Sequence, residues 1–120
     1  MTNQTYQKWM AALKFSCVPM TEDEIVEHQN AVEWFTIFEK QKLSEGFIRK
    51  FYNKVNVDFL ASNDKNAVEK AIRANLTLIS HYQVLSEVFI REFQDILCWD
   101  NIFWYQNLSS EFIKEFSHKN

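Results

Sequence analysis

Three histidines, two cysteines and sixteen acidic residues are the groups in this 120-residue chain that could do chemistry. Their spacing points away from catalysis. Cys17 and Cys98 lie far apart, form no Cys-x-x-Cys pair and have no His at helical spacing. They read as small buried hydrophobes in a reducing compartment rather than as metal ligands. Glu24 and His28 share a helix face at i, i+4, but no second His or Cys completes a metal site, and a surface ion pair is the better reading. Arg73 and His81 stand eight apart and fit no nuclease pattern. With Gly46 as its one glycine, the chain can build neither a Gly-rich phosphate loop nor a Gly-x-Ser-x-Gly elbow. The expectation is a protein that is not an enzyme and holds no cofactor or metal. Convergence of two carboxylates in the fold is the route to catalysis that spacing leaves open.

Composition narrows the partners. The net charge is −3, from 13 Lys plus Arg against 16 Asp plus Glu. Neutralising a phosphate backbone needs clustered cations, so nucleic acid is not the expected partner. Apolar residues make up 47% and charged residues 24%, the balance of a globular chain. No apolar run approaches the roughly 18–20 residues that span a bilayer. The stretch from Met1 to Cys17 has its apolar run broken by Lys14 and makes a poor signal peptide. A cytoplasmic, single-domain protein with no membrane partner is the expectation.

The elements that must position any binding residue are helical. One Gly and one Pro cannot supply the tight turns of hairpins. Apolar residues recur at spacings of three and four, as in Phe47, Ile48 and Phe51, or Val68, Ala71 and Ile72. The expected fold class is all-α. A first helix is expected over about residues 4–15, ended by Pro19. Thr21-Glu22-Asp23-Glu24 reads as a capping box. Ser44, Ser86 and Ser109 read as N-caps, with Glu45, Glu87 and Glu111 at the positive end of the helix dipole. Asn63 or Asp64 is expected to cap a helix opening near Lys65, and Asp100 another that starts after Trp99.

These caps recur because the sequence does. Leu43-Ser44-Glu45-Gly46-Phe47-Ile48 aligns with Leu85-Ser86-Glu87-Val88-Phe89-Ile90 and with Leu108-Ser109-Ser110-Glu111-Phe112-Ile113, and Phe51, Phe93 and Phe116 follow in register. The last two copies are 23 residues apart, as are a weaker copy at Met20 and its successor at Leu43. Units are therefore expected near 20, 43, 66, 85 and 108, with the one in residues 62–84 eroded. Each pairs a short helix led by Trp-x-x-Ile, a Gln-x-Leu-Ser junction and a second short helix. Such helices are too short to stand alone, so neighbours must stack to bury their apolar stripes.

Departures from the repeat mark candidate contact residues. Trp104 aligns with His81 and Glu39, Tyr105 with Tyr82 and Lys40, Val88 with Gly46 and Glu111, and Tyr52 with Gln94 and Ser117. A position polar in one copy is expected to face water in all, which makes Trp104, Tyr105, Val88 and Tyr52 apolar groups on water-facing sites. Exposed Trp and Tyr are enriched at interface hot spots. Trp104 has a second reading, as a cap on the open end of the array or a packing partner of the first helix near Trp9. Scattered apolar exposure needs no function for the others. Glu22, Asp23, Glu24 and Glu27 form an acidic group that could steer toward a basic patch.

The words Leu-Ser-Glu-x-Phe-Ile-Arg-x-Phe (85–93) and Trp-Asp-Asn-Ile-x-x-Tyr-Gln-x-Leu-Ser (99–109) resemble the short helical repeats common in phage, prophage and giant-virus proteins. The likeness covers 85–116 well, 34–54 fairly and the remainder weakly, with Val57-Asp58 in place of Trp-Asp. Within that group the chain resembles the prophage-encoded inhibitors of defence-associated sirtuins. That resemblance implies a phage protein in the bacterial host cytoplasm that binds a sirtuin-domain NADase and keeps it from sensing a phage structural protein. The alternatives are a phage structural or assembly repeat with no host target, and a small helical enzyme or nucleic-acid adaptor.

Overall fold

The computed structural model describes residues 18–61 and 64–119. The helix expected over 4–15 lies outside the described residues, as does Asn63. Among the described residues every regular element is helical. They are α1 (Glu22–Glu27), α2 (Trp34–Lys40), α3 (Glu45–Phe51), α4 (Val57–Ala61), α5 (Lys65–Tyr82), α6 (Glu87–Glu92), α7 (Trp99–Tyr105) and α8 (Ser110–Glu115), followed by a 3-10 turn at Ser117–Lys119.

Local chemistry sets most helix starts. Thr21 accepts from the Glu24 N–H at 3.1 Å, and the Glu24 carboxylate accepts from the Thr21 N–H at 3.0 Å, closing a capping box. Ser44, Ser86 and Ser109 each accept from the N–H three residues on, at Phe47, Phe89 and Phe112. Asp64 caps α5 through the Asn66 N–H at 2.9 Å. Asp100 is not a cap. It sits in the first turn of α7, and the N-cap is Cys98, which gives no side-chain bond. The Cys98 N–H is held instead by the Ser80 hydroxyl at 3.1 Å.

The 62–84 stretch is not a worn helix pair. It is largely one 18-residue helix, α5. No Leu-Ser word, Gly or Pro falls between Lys65 and Tyr82, so nothing supplies a junction, and the helix runs through. Its Asn75 is fully buried and donates to the carbonyls of Tyr52 and Lys54 at 3.0 and 2.7 Å, tying α5 to the turn after α3.

The core follows the aligned apolar positions: Ile25, Trp34, Ile37, Phe38, Ile48, Ile79, Phe89, Ile90, Ile102 and Phe112 are at most 1% exposed. Trp34 stacks on Phe51 at 6.1 Å, and Trp99 on Phe116 at 5.1 Å. Each indole N–H reaches the carbonyl five residues back, of Gln29 or Gln94.

Two polar ladders join successive units. In the outer one, the acid at the first position of a helix takes both the N–H and the hydroxyl of the next cap serine. Glu22 holds Ser44 at 2.6 and 3.0 Å, Glu45 holds Ser86 at 2.5 and 2.9 Å, and Glu87 holds Ser109 at 2.6 and 3.1 Å. In the inner one, a glutamine at each junction clamps the junction before it. Gln41 accepts from the Met20 N–H and donates to the Val18 carbonyl. Gln83 accepts from the Leu43 N–H at 3.1 Å and donates to the Phe38 and Gln41 carbonyls, both at 2.8 Å. Gln106 accepts from the Leu85 N–H at 3.0 Å and donates to the Ser80 and Gln83 carbonyls at 2.9 and 2.7 Å. On the second-helix side, Arg49 pairs with Glu92 over the Phe89 ring, and Arg91 with Glu115 over the Phe112 and Phe116 rings.

Two predictions arise here. A Cβ at Gly46 meets nothing nearer than the Ser44 hydroxyl at 4.0 Å. Gly46→Ala is therefore expected to stabilise the protein by roughly 0.5–1 kcal/mol, chiefly by restricting the unfolded chain; the denaturant midpoint rises at constant slope. The second concerns acid. The Thr21 backbone N–H and then its side chain hold Glu24 below the ordinary carboxylate range, and the Arg91 hydrogen bond does the same for Glu115. A depressed folded pKa adds stability that is fully present above the ordinary value and is lost as pH falls through the folded value. Stability is thus expected to decline below about pH 4.5, and the decline to be shallower in Glu24→Gln and Glu115→Gln when followed by acid titration of helicity.

Candidate functional site

The water-facing ends of α2, α5 and α7 bring the aligned departures together. Each helix stops at its junction glutamine, so the two residues before the glutamine project at one end of the stack. Glu39 and Lys40 come from α2, His81 and Tyr82 from α5, and Trp104 and Tyr105 from α7. The series changes from charged to aromatic along the molecule.

The aromatic part is built from ring contacts. His81 lies face to face with Tyr82 at 3.8 Å and with Tyr105 at 3.7 Å, both tilted by only 15°. This three-ring stack fixes two tyrosines that are nonetheless 45% and 49% exposed. Trp104, next to Tyr105, is 79% exposed. A groove of about 450 Å³ runs beside Tyr82 over the neighbouring junction, lined by Glu39, Lys40, Lys42 and Val84 among others. Rigid, amphipathic rings with little entropy left to lose are the side chains that supply binding energy most economically.

The other sequence candidates are placed differently. Val88 is 71% exposed in the first turn of α6. Tyr52 does not face water as expected. It is half-buried and packs edge-on against Phe93 at 5.6 Å, while its carbonyl is held by Asn75. Its aligned partners Gln94 and Ser117 are half-buried and exposed respectively, so exposure is not shared across the copies at this position. The acidic group divides. The Glu22 carboxylate is committed to Ser44 and that of Glu24 to the Thr21 cap, whereas Asp23 and Glu27 are exposed. The steering reading therefore rests on two carboxylates rather than four.

Sequence reasoning passed over Val84, which is 89% exposed, and the stacking roles of His81 and Tyr82. The alignment carried a signal for Val84, since Lys42 and Asn107 occupy its place in the other junctions. Nothing in the sequence spacing reveals a face-to-face stack.

The described residues offer no grouping of three or more His, Cys, Asp and Glu that could hold a metal ion. No helix among them is long and apolar enough to cross a membrane. A second cleft of about 510 Å³ is lined by Tyr52, Glu69, Arg73, Asp95 and Ile96 among others. No family model, curated protein or solved structure matches the chain.

Proposed function

We propose that this chain is a phage-encoded binding protein that inhibits a bacterial defence-associated sirtuin, an NADase, by protein–protein contact and so prevents abortive NAD depletion during infection. The observation that carries the binding part is the exposed Trp104 beside the stacked Tyr105, His81 and Tyr82. A tryptophan with four-fifths of its surface in water contributes nothing to the core and is the residue type most enriched at energetic centres of interfaces. The identity of the partner rests on the resemblance of the Leu-Ser-Glu-x-Phe-Ile units. The reaction is the partner's, and the chain acts in proportion to its amount.

The outer ladder favours this reading over a self-assembling repeat. After Ser109 the first helical position holds Ser110, where Glu22, Glu45 and Glu87 stand in the other units. The Ser110–Glu115 helix therefore lacks the carboxylate with which the other units seat a cap serine, and this contact is not available to it for stacking on a further copy.

The test is co-purification of the tagged chain from a bacterial host that carries defence-associated sirtuins, followed by NAD measurement during infection. The expected result is a sirtuin-domain protein recovered near one-to-one and NAD preserved. Recovery of only virion proteins or of the chain itself would replace this reading with the assembly one.

A further inference from the structure

On the junction face, aligned positions change in kind between two interior units. The residue before the junction glutamine is Lys40 after α2 and Tyr82 after α5, and the residue after the glutamine is Lys42 and then Val84. One junction therefore presents two cations and the next two apolar groups. The two are direct neighbours, since the Gln83 amide donates to the Phe38 and Gln41 carbonyls. The groove of about 450 Å³ runs between them, with Lys40 and Lys42 at one end, Tyr82 and Val84 at the other and Leu43 along it.

Neither end of the groove is matched from within the chain. Among the described residues Lys42 makes no ion pair, and Lys40 meets only Glu39, at 4.0 Å. Lys40 and Lys42 against Glu39 leave the groove positive in a chain whose net charge is −3. Val84 is 89% exposed and Tyr82 45%. The fold does not require an apolar group at the Val84 position, since Lys42 and Asn107 stand there in other units. The walls are fixed in advance. Tyr82 is stacked on His81 at 3.8 Å, and the backbone is extended at both Gln41 and Gln83. Little ordering remains for a partner to impose.

Dimensions select the occupant. Packed helices lie about 8–10 Å apart, and a helix with its side chains is about 10–12 Å across. A groove between two neighbouring junctions is thus too narrow to seat a helix. An extended chain fits it, and at about 3.3 Å per residue passes from the lysine end to the apolar end in about three residues.

We infer that this groove is a docking site for an extended segment of a protein partner that carries a carboxylate and, about three residues away, a large apolar side chain, the carboxylate meeting Lys42 and the apolar group lying between Tyr82 and Val84. Charge complementarity sets the register, and the apolar contact supplies affinity. This deepens the proposed binding function and rests on it for the existence of a protein partner, but not for the partner's name.

The probe is a library of random linear dodecapeptides displayed on filamentous phage and selected on the immobilised full chain. The expected result is enrichment of peptides with Asp or Glu three residues from Leu, Phe, Trp or Tyr. Synthetic copies should bind Lys42→Glu and Val84→Asp at least about tenfold more weakly than wild type, while both variants melt within about 2 °C of it. Selection repeated on Lys42→Glu should exchange the acid for Lys or Arg and keep the apolar residue, a switch that a structural role for Lys42 would not produce. No enrichment, enrichment without that spacing, or affinity for Lys42→Glu within about threefold of wild type overturns the inference. Self-association of the chain that Lys42→Glu abolishes also overturns it, by assigning the groove to a second copy. The library contains no sirtuin, so the two readings fail separately. Sirtuin capture with no matching peptide removes the docking site and leaves the binding function. Matching peptides with no sirtuin captured does the reverse.

Discussion

Gln83→Ala is expected to destabilise the protein by about 3–5 kcal/mol, more than removal of Gln106. Gln83 is 4% exposed and is the sole side chain bonded to the Leu43 N–H and to the Phe38 and Gln41 carbonyls among the described residues. Truncation removes the amide partner of these groups, and each one that water from the adjoining groove does not reach costs roughly 1–3 kcal/mol. Gln106 is only partly buried, so water replaces part of its loss, and Gln106→Ala is expected to cost about half as much. Gln83→Glu separates hydrogen bonding from packing. Its carboxylate would still accept from Leu43 but would face two carbonyls, which raises its folded pKa. A raised carboxyl pKa is a penalty above the unfolded value that is relieved as pH falls. Urea unfolding is therefore expected to show Gln83→Glu gaining stability relative to wild type between pH 7 and pH 5, with Gln83→Ala showing no such gain. An alanine variant within about 0.5 kcal/mol of wild type would mean that the clamp is incidental to the fold.

The glutamine clamp also shows where reading the sequence stops. The caps at Thr21, Ser44, Ser86 and Ser109 were legible because an N-cap hydrogen bond spans three residues and its chemistry is local. The core was legible because burial repeats with the helical period. The ladders were not, because their partners lie 21 to 45 residues apart. A glutamate at the first helical position reads equally well as a dipole partner and as a clamp on the next unit. Glu22 is the instructive case, since its role as a steering charge and its role in holding Ser44 look identical in sequence. Tyr52 and α5 fail together. Once the 65–82 stretch runs as one helix, Asn75 reaches back to the Tyr52 and Lys54 carbonyls and ties the turn after α3 to it. Alignment of repeats predicts exposure only where the surroundings repeat as well.

Where they do repeat, the departures are informative, and the second large effect follows. Trp104→Ala is expected to leave the melting temperature within about 2 °C of wild type, because surface substitutions away from structural features stay within roughly 0.5 kcal/mol. The same change is expected to weaken partner binding by about 2–4 kcal/mol, or roughly 30- to 1000-fold in Kd. Val88→Ser is the control. Val88 is 71% exposed but stands on α6, away from the three-ring stack, and its loss is expected to change affinity by less than about threefold. Measuring both quantities on both variants separates the readings of Trp104. A structural cap would lower the melting temperature with binding lost only in proportion to unfolding, whereas a hot spot loses affinity in a protein that is still folded. Normal binding by a folded Trp104→Ala variant would remove Trp104 from the interface. The series along the stack argues for the hot spot, since Glu39 and His81 show that the position tolerates charge and polarity. A site that packing leaves indifferent to side-chain type is free to carry a tryptophan for a partner, and Tyr105, pinned on His81, sets the orientation of the residue next to it.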